Sequence, residues 1–123
     1  MSEFSDSDHQ FMALAMEEAE RAASLGEVPV GAVVVCDGEI IALECNRQIT
    51  LSDPSAHAEV LALRKAGQML DNYRLPDCEL FVTLEPCTMC CGTLVHARVK
   101  RLVFATTEPK AGAVTSTSSA LDN

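Results

Sequence analysis

The chain has 123 residues, 48% hydrophobic and 22% charged, which suits one folded domain with its own core and excludes a disordered chain. Its 9 basic residues stand against 18 acidic ones, a net charge of −9 that disfavours non-specific nucleic-acid binding, where phosphate neutralisation is the main term. No apolar run approaches the ~20 residues of a membrane helix, and the acidic start Met1-Ser2-Glu3-Phe4-Ser5-Asp6 lacks the parts of a signal peptide, so no membrane partner and a cytoplasmic location are expected.

From Asp8 to Leu25 the apolar residues Phe11, Leu14, Ala15, Ala19 and Ala22 recur at helical spacing. Ser7 or Asp8 suits the start of this helix and Gly26 its exit. Val28 to Val35 is a dense β-branched run that barely alternates, so it predicts a strand covered on both faces. Asp37-Gly38 then predicts a two-residue hairpin turn into a second strand through Ile40, Ile41 and Leu43. Asp53-Pro54 predicts the start of a second helix, which carries His57 and Glu59 and stops near Gly67. Leu80 to Leu84 reads as a third strand, Glu85-Pro86 as the opening of a third helix to about His96, and Val99 to Ala105 as a fourth strand. The order helix, hairpin, helix, strand, helix, strand predicts a mixed sheet between helices, a three-layer α/β/α sandwich whose last two strands are parallel. One domain is expected over residues 1–113, followed by a polar tail or mobile loop over 114–123, rich in Ser, Thr and Ala.

Six cysteines without a secretion signal do not read as a disulfide framework. Cys36, Cys45 and Cys78 sit alone in apolar stretches and read as small buried hydrophobes. Cys87 and Cys90 differ, because two cysteines three apart on a helix face nearly the same way. Zinc accepts thiolate and imidazole in tetrahedral geometry, and His57 from the other helix completes three ligands. His9 and His96 have no matching spacing for a fourth, and three protein ligands leave the open position of a catalytic zinc. Cys91, about 100° further round the helix, reads as a core residue. Both ligand sets fall in first helical turns, whose partial positive charge favours thiolate. Glu59, two residues after the histidine, is placed to take a proton from a metal-activated water and pass it to a leaving nitrogen. A lone His-Ala-Glu triplet is usually an exposed helix turn, and a lone CxxC suits a redox pair or half a structural zinc site. The two together, each opening a helix, point to a catalytic zinc.

The His57-Ala58-Glu59 and Pro86-Cys87-Thr88-Met89-Cys90 pair resembles the signature of the zinc deaminases in the cytidine deaminase superfamily. The segments Glu27-Val28-Pro29-Val30-Gly31-Ala32 and Asn72-Tyr73-Arg74-Leu75 are similar to the bacterial tRNA-specific adenosine deaminases in particular. The resemblance covers nearly the whole chain from Glu17 to Ala113. It implies a cytidine deaminase-like fold, one Zn2+ per subunit held by His57, Cys87 and Cys90, and a proton shuttle at Glu59. It also implies a base pocket formed by Asn46, the side chain of Val30 and the backbone of Ala58. Read alone, Asn46 is better taken as a turn or strand-end asparagine capping its own backbone. The implied activity converts the wobble adenosine of a tRNA anticodon stem-loop to inosine with release of ammonia, by a homodimer. The family continues with a further strand and C-terminal helices, which are expected to be missing from a chain ending at Asn123. The loop Thr106-Thr107-Glu108 also lacks a basic residue expected near Thr107.

Two other readings use the same residues. A deaminase of a free nucleobase or nucleoside, such as guanine or cytosine, needs identical zinc chemistry and tolerates the acidic charge. It has no use for Arg98, Lys100, Arg101 and Lys110, which matter for RNA. A non-catalytic zinc-stabilised scaffold subunit is the third reading, and the presence of Glu59 argues against it.

Overall fold

The computed structural model describes residues 4–114. The expected tail therefore lies outside the described residues, except for Val114. The elements run α1 (Asp6–Ser24), β1 (Gly31–Cys36), β2 (Glu39–Cys45), α2 (Ala58–Leu70), β3 (Cys78–Leu84), α3 (Thr88–Ala97) and β4 (Arg101–Thr106). The strands form one sheet in the order β2-β1-β3-β4. β1 is antiparallel to both β2 and β3, and β3 is parallel to β4.

The burial of β1 follows its unbroken valine run. Val33 and Val35 pack on one face with Ala15 of α1, Phe81 and Val103. Ala32 and Val34 pack on the other with Ala58, Ala62, Leu63 and Leu94 of α2 and α3. The three-layer α/β/α sandwich expected from the sequence is thus present. Gly31 makes the α1 layer possible, since a Cβ there would lie 2.0 Å from the carbonyl oxygen of Ala15. The hairpin turns at Asp37-Gly38 with φ of 51° and 81°, positive at both central positions as a type I′ turn requires.

All three helix starts differ from the sequence expectation. α1 is capped by Ser5, whose hydroxyl accepts the Asp8 N–H at 3.0 Å while Asp8 accepts the Ser5 N–H at 3.1 Å. Asp8 is the third helical residue of a capping box, not the cap itself. α2 starts at Ala58, not at Asp53-Pro54. The Asp53 carboxylate instead accepts the N–H and hydroxyl of Ser55 at 2.9 and 2.8 Å, closing a local turn. α3 likewise starts one residue past the Pro86-Cys87 step, with Cys87 as its cap.

β2 and β3 run the same way, each antiparallel to β1 between them. Their C-terminal ends and the N-terminal end of β1 therefore share one edge of the sheet. Val30 precedes β1, Asn46 follows β2 and Glu85 follows β3, all at this edge.

Candidate metal centre and base pocket

His57 caps α2 and Cys87 caps α3, and neither side chain makes a capping hydrogen bond. A good capping side chain stabilises a helix by about 1 kcal/mol. Both positions forgo that contribution and turn their side chains to each other. His57 Nδ1 lies 3.7 Å from Cys87 Sγ and 3.5 Å from Cys90 Sγ, and the two sulfurs are 3.7 Å apart. Zinc–sulfur bonds of about 2.3 Å and zinc–nitrogen bonds of about 2.0 Å at tetrahedral angles require S···S of about 3.8 Å and N···S of about 3.5 Å. The donor triangle therefore fits zinc by size as well as by chemistry. Among the described residues this is the one group of three or more His, Cys, Asp or Glu donors positioned to hold a metal ion.

Cys90 is fully buried, and His57 and Cys87 are half-buried. Burial pushes the Cys90 thiol well above its ordinary pKa, helped by Glu59 and Cys87 beside it. Such a thiol gains greatly from a cation. Cys91 is buried too, its sulfur 3.8 Å from the Pro86 carbonyl oxygen, and burial raises its pKa to about 11. It is a core residue, as its place on the helix implies. Cys45 and Cys78 are buried and Cys36 half-buried, in keeping with their apolar neighbours.

Glu59 is the second residue of α2, 4% exposed. Burial raises its carboxyl pKa, opposed by its own backbone N–H, the Cys90 thiol and His57. It lines a cavity of about 190 Å³ together with His57 and Cys87. This is below the ~300–1,000 Å³ of sites for drug-sized ligands and on the scale of a single base. Val28, Val30, Asn46 and Gln48 form further wall, as do Leu84, Glu85, Glu108 and Ala111. A wider open groove of about 780 Å³ between α2 and α3 includes none of the metal donors.

The structure brings Val30 and Asn46 into this pocket and treats Ala58 differently. Asn46 Oδ1 accepts the Ala58 N–H at 2.7 Å, so that N–H is engaged and Ala58 itself is fully buried. The pocket wall receives Asn46 in its place. Asn46 does not bond its own backbone turn; it satisfies the first helical N–H of α2, and its NH2 remains as donor.

Sequence reasoning missed two buried carboxylates, Glu85 in the pocket lining and Glu27 next to the lining residue Val28. Glu27 accepts the Ile49 N–H at 3.1 Å, the Thr50 N–H at 2.6 Å and the Thr50 hydroxyl at 2.7 Å. Burial alone would raise its pKa, and these three donors outweigh burial and lower it. Glu27 thereby ties the loop after Asn46 to the approach to β1. Glu85 holds the loop after β4 in a similar way. No spacing pattern marks either residue, because their partners lie more than 20 positions away.

Of the basic residues singled out for RNA, Arg101 is employed within the fold, away from this site. Arg101 opens β4 beside Glu79, at the sheet edge opposite the pocket. Its guanidinium meets Asp8 twice at 2.8 Å and Glu79 at 2.8 Å. It staples α1 to the sheet. Among the described residues no helix is long and apolar enough to cross a membrane.

A family model, the cytidine and deoxycytidylate deaminase zinc-binding region, matches residues 5–106. The chain is 50% identical over 111 residues to the tRNA-specific adenosine deaminase of Haemophilus influenzae, covering 89% of this chain and 64% of that protein. It thus spans somewhat under two thirds of that relative's length. A structure solved in a study of A-to-I editing by tRNA:A34 deaminases superposes with a TM-score of 0.87 at 48% identity, over 88% of this chain and 78% of that one. The guanine deaminase of Bacillus subtilis superposes with a TM-score of 0.78 at 41% identity, over 87% and 66%. The chain belongs to the cytidine and deoxycytidylate deaminase zinc-binding family, among the tRNA-specific adenosine deaminases.

Proposed function

We propose that this chain is the catalytic domain of a zinc-dependent hydrolase that converts a wobble adenosine to inosine in a tRNA anticodon stem-loop. The observation that carries this reading is the zinc-sized triangle of His57, Cys87 and Cys90 beside Glu59 at the base of a pocket of single-base scale. Its relatives supply the substrate class. Zinc in the triangle supplies the lowered water pKa and the Lewis acidity that hydrolytic deamination needs.

The residues of the chain supply the rest. Glu59 carries a proton from the attacking water to the leaving nitrogen of adenine, and ammonia departs. Its burial keeps bulk water from competing for that proton. Asn46, its oxygen already engaged by Ala58, donates from its NH2 to an acceptor on the purine edge. Val30 gives the pocket an apolar wall. Ala58 acts through Asn46, holding the amide in the orientation that presents the donor. An anticodon loop offers a base already unstacked enough to be splayed into such a pocket. The enzyme works as a homodimer in the cytoplasm, with one zinc per subunit.

Net charge −9 and the 41% identity to a guanine deaminase favour a second reading, deamination of a free purine. Turnover of a stem-loop carrying a wobble adenosine, measured beside free guanine, adenine and cytosine, separates the two. Inosine in the stem-loop supports the RNA reading; turnover of a free base alone moves the chain to the second.

A further inference from the structure

A single buried carboxylate holds one whole wall segment of the pocket. Glu85 follows the end of β3, and its N–H continues the ladder to the Thr106 carbonyl oxygen at 2.9 Å. Its side chain is 3% exposed. One carboxylate oxygen accepts the Glu108 N–H at 3.1 Å, and the other accepts the Val114 N–H at 2.9 Å. Between these two anchors the Gly112 N–H donates to the Glu108 carbonyl at 2.8 Å, and the Ala113 N–H to the Pro86 carbonyl at 2.8 Å. Gly112 also bridges to Cys87. The segment 108–114 is thus wrapped round the Glu85 carboxylate and fastened to the Pro86-Cys87 step that enters α3. A Cβ on Gly112 would lie 2.4 Å from Glu85 Cδ and 2.7 Å from the Glu108 carbonyl oxygen, so the wrap closes only on glycine. Glu108 and Ala111, both in this segment, line the same pocket as Val30 and Asn46.

We propose that Glu85 is a positioning residue for the deamination: by accepting from both ends of the 108–114 strap, it fixes the pocket wall that receives the base. This rests on the deaminase reading above. A carboxylate suits the task because both of its oxygens accept, and hydrogen bonds from backbone N–H groups to a charged acceptor are strong. A glutamine offers one acceptor and turns an NH2 towards the second N–H, leaving a buried donor unpaired. Glu85 acts through the strap and takes no proton from the substrate.

The test uses the zinc-loaded full chain as wild type, E85Q, E85D, G112A and the double variant E85Q/G112A. Zinc content, amide hydrogen exchange over 108–114, and kcat and KM on an anticodon stem-loop are measured for each. E85Q is expected to keep its zinc, to exchange faster over 108–114 and to lose about tenfold to a hundredfold in kcat/KM per bound zinc, as misplacement of a positioning group does. E85D, which restores two acceptors on a shorter arm, recovers part of that loss. G112A, which keeps the carboxylate and crowds it, shows the same two changes, and the double variant is no worse than the worse single one because both act on one strap. Unchanged exchange in E85Q, unchanged kcat/KM per zinc, or losses that multiply in the double variant would each overturn the proposal. Should E85Q lose its zinc or its fold, G112A decides by the same criteria. A wild-type chain that deaminates no substrate sinks the deaminase reading and with it the proposal. A wild type that turns over while E85Q equals it per zinc sinks the positioning role alone.

Discussion

The side chain of Asn46 and the backbone of Ala58 are one unit: Oδ1 accepts the Ala58 N–H at 2.7 Å, so the residue just past the hairpin supplies the capping acceptor for the helix that starts after His57 and carries Glu59. Substitution of Asn46 therefore acts on stability and on turnover separately. Asn46→Ala removes both the cap and the donor, costing about 1–2 kcal/mol of stability as lost caps do. Asn46→Asp keeps an acceptor for Ala58 and removes the donor. Thermal unfolding should show Asn46→Asp more stable than Asn46→Ala, while inosine formation falls by about a hundredfold or more in both, the size expected when a base-edge contact is lost and the site left with a buried mismatch. Equal stability of the two variants would contradict the capping role.

Glu59→Gln keeps the shape of the side chain and removes its capacity to take a proton. Zinc content should match wild type, since Glu59 lies outside the donor triangle. Turnover should fall by about 100-fold to 10,000-fold, the usual contribution of a general acid–base group. Metal analysis and single-turnover kinetics on one preparation check both halves.

Removal of zinc should abolish turnover, and its return should restore it. Cys90→Ala should lose metal and also stability, because Cys90 of α3 is fully buried and belongs to the donor triangle. Cys91→Ala, one position on, should keep its zinc. Loss of metal from Cys91→Ala at the level of Cys90→Ala would contradict the assignment of ligand and core.

The Asp8–Arg101 pair predicts an acid limb of stability remote from the site. The Arg101 guanidinium beside Asp8, against the opposing effect of burial, lowers the Asp8 pKa to about 2. A folded pKa below the unfolded one gives stability that is complete above about pH 4 and is lost as pH falls through about 2. Because the Arg101 side chain is 36% exposed, solvent screening reduces the contribution to about 1 kcal/mol. Denaturant unfolding of wild type and Asp8→Asn at pH 7 and pH 2.5 checks this: the gap between them should shrink at the lower pH.

The parts of the fold legible in the sequence were those carried by local pattern. The valine run of β1, the Asp37-Gly38 turn and the CxxC spacing each state their own geometry. The start of α2 was not legible, because Asp and Pro suit a turn as well as a helix start, and the Asp53 carboxylate bonds Ser55 first. Ser5 escaped notice as a cap because its capping partner is an aspartate, shorter than the glutamate of the usual box. At the site, the ligand triangle was legible from residue type and spacing. The loop anchors Glu27 and Glu85, and the employment of Arg101 by Asp8, depend on partners far along the chain, which one sequence does not pair.

The most direct test is inosine formation by the purified zinc-loaded chain on an anticodon stem-loop with a wobble adenosine, run beside Glu59→Gln and free guanine. Inosine from the wild type, at least about 100-fold less from Glu59→Gln with its zinc retained, and no turnover of guanine are the expected results. Equal turnover by Glu59→Gln, or release of ammonia from guanine alone, would contradict the proposed reaction.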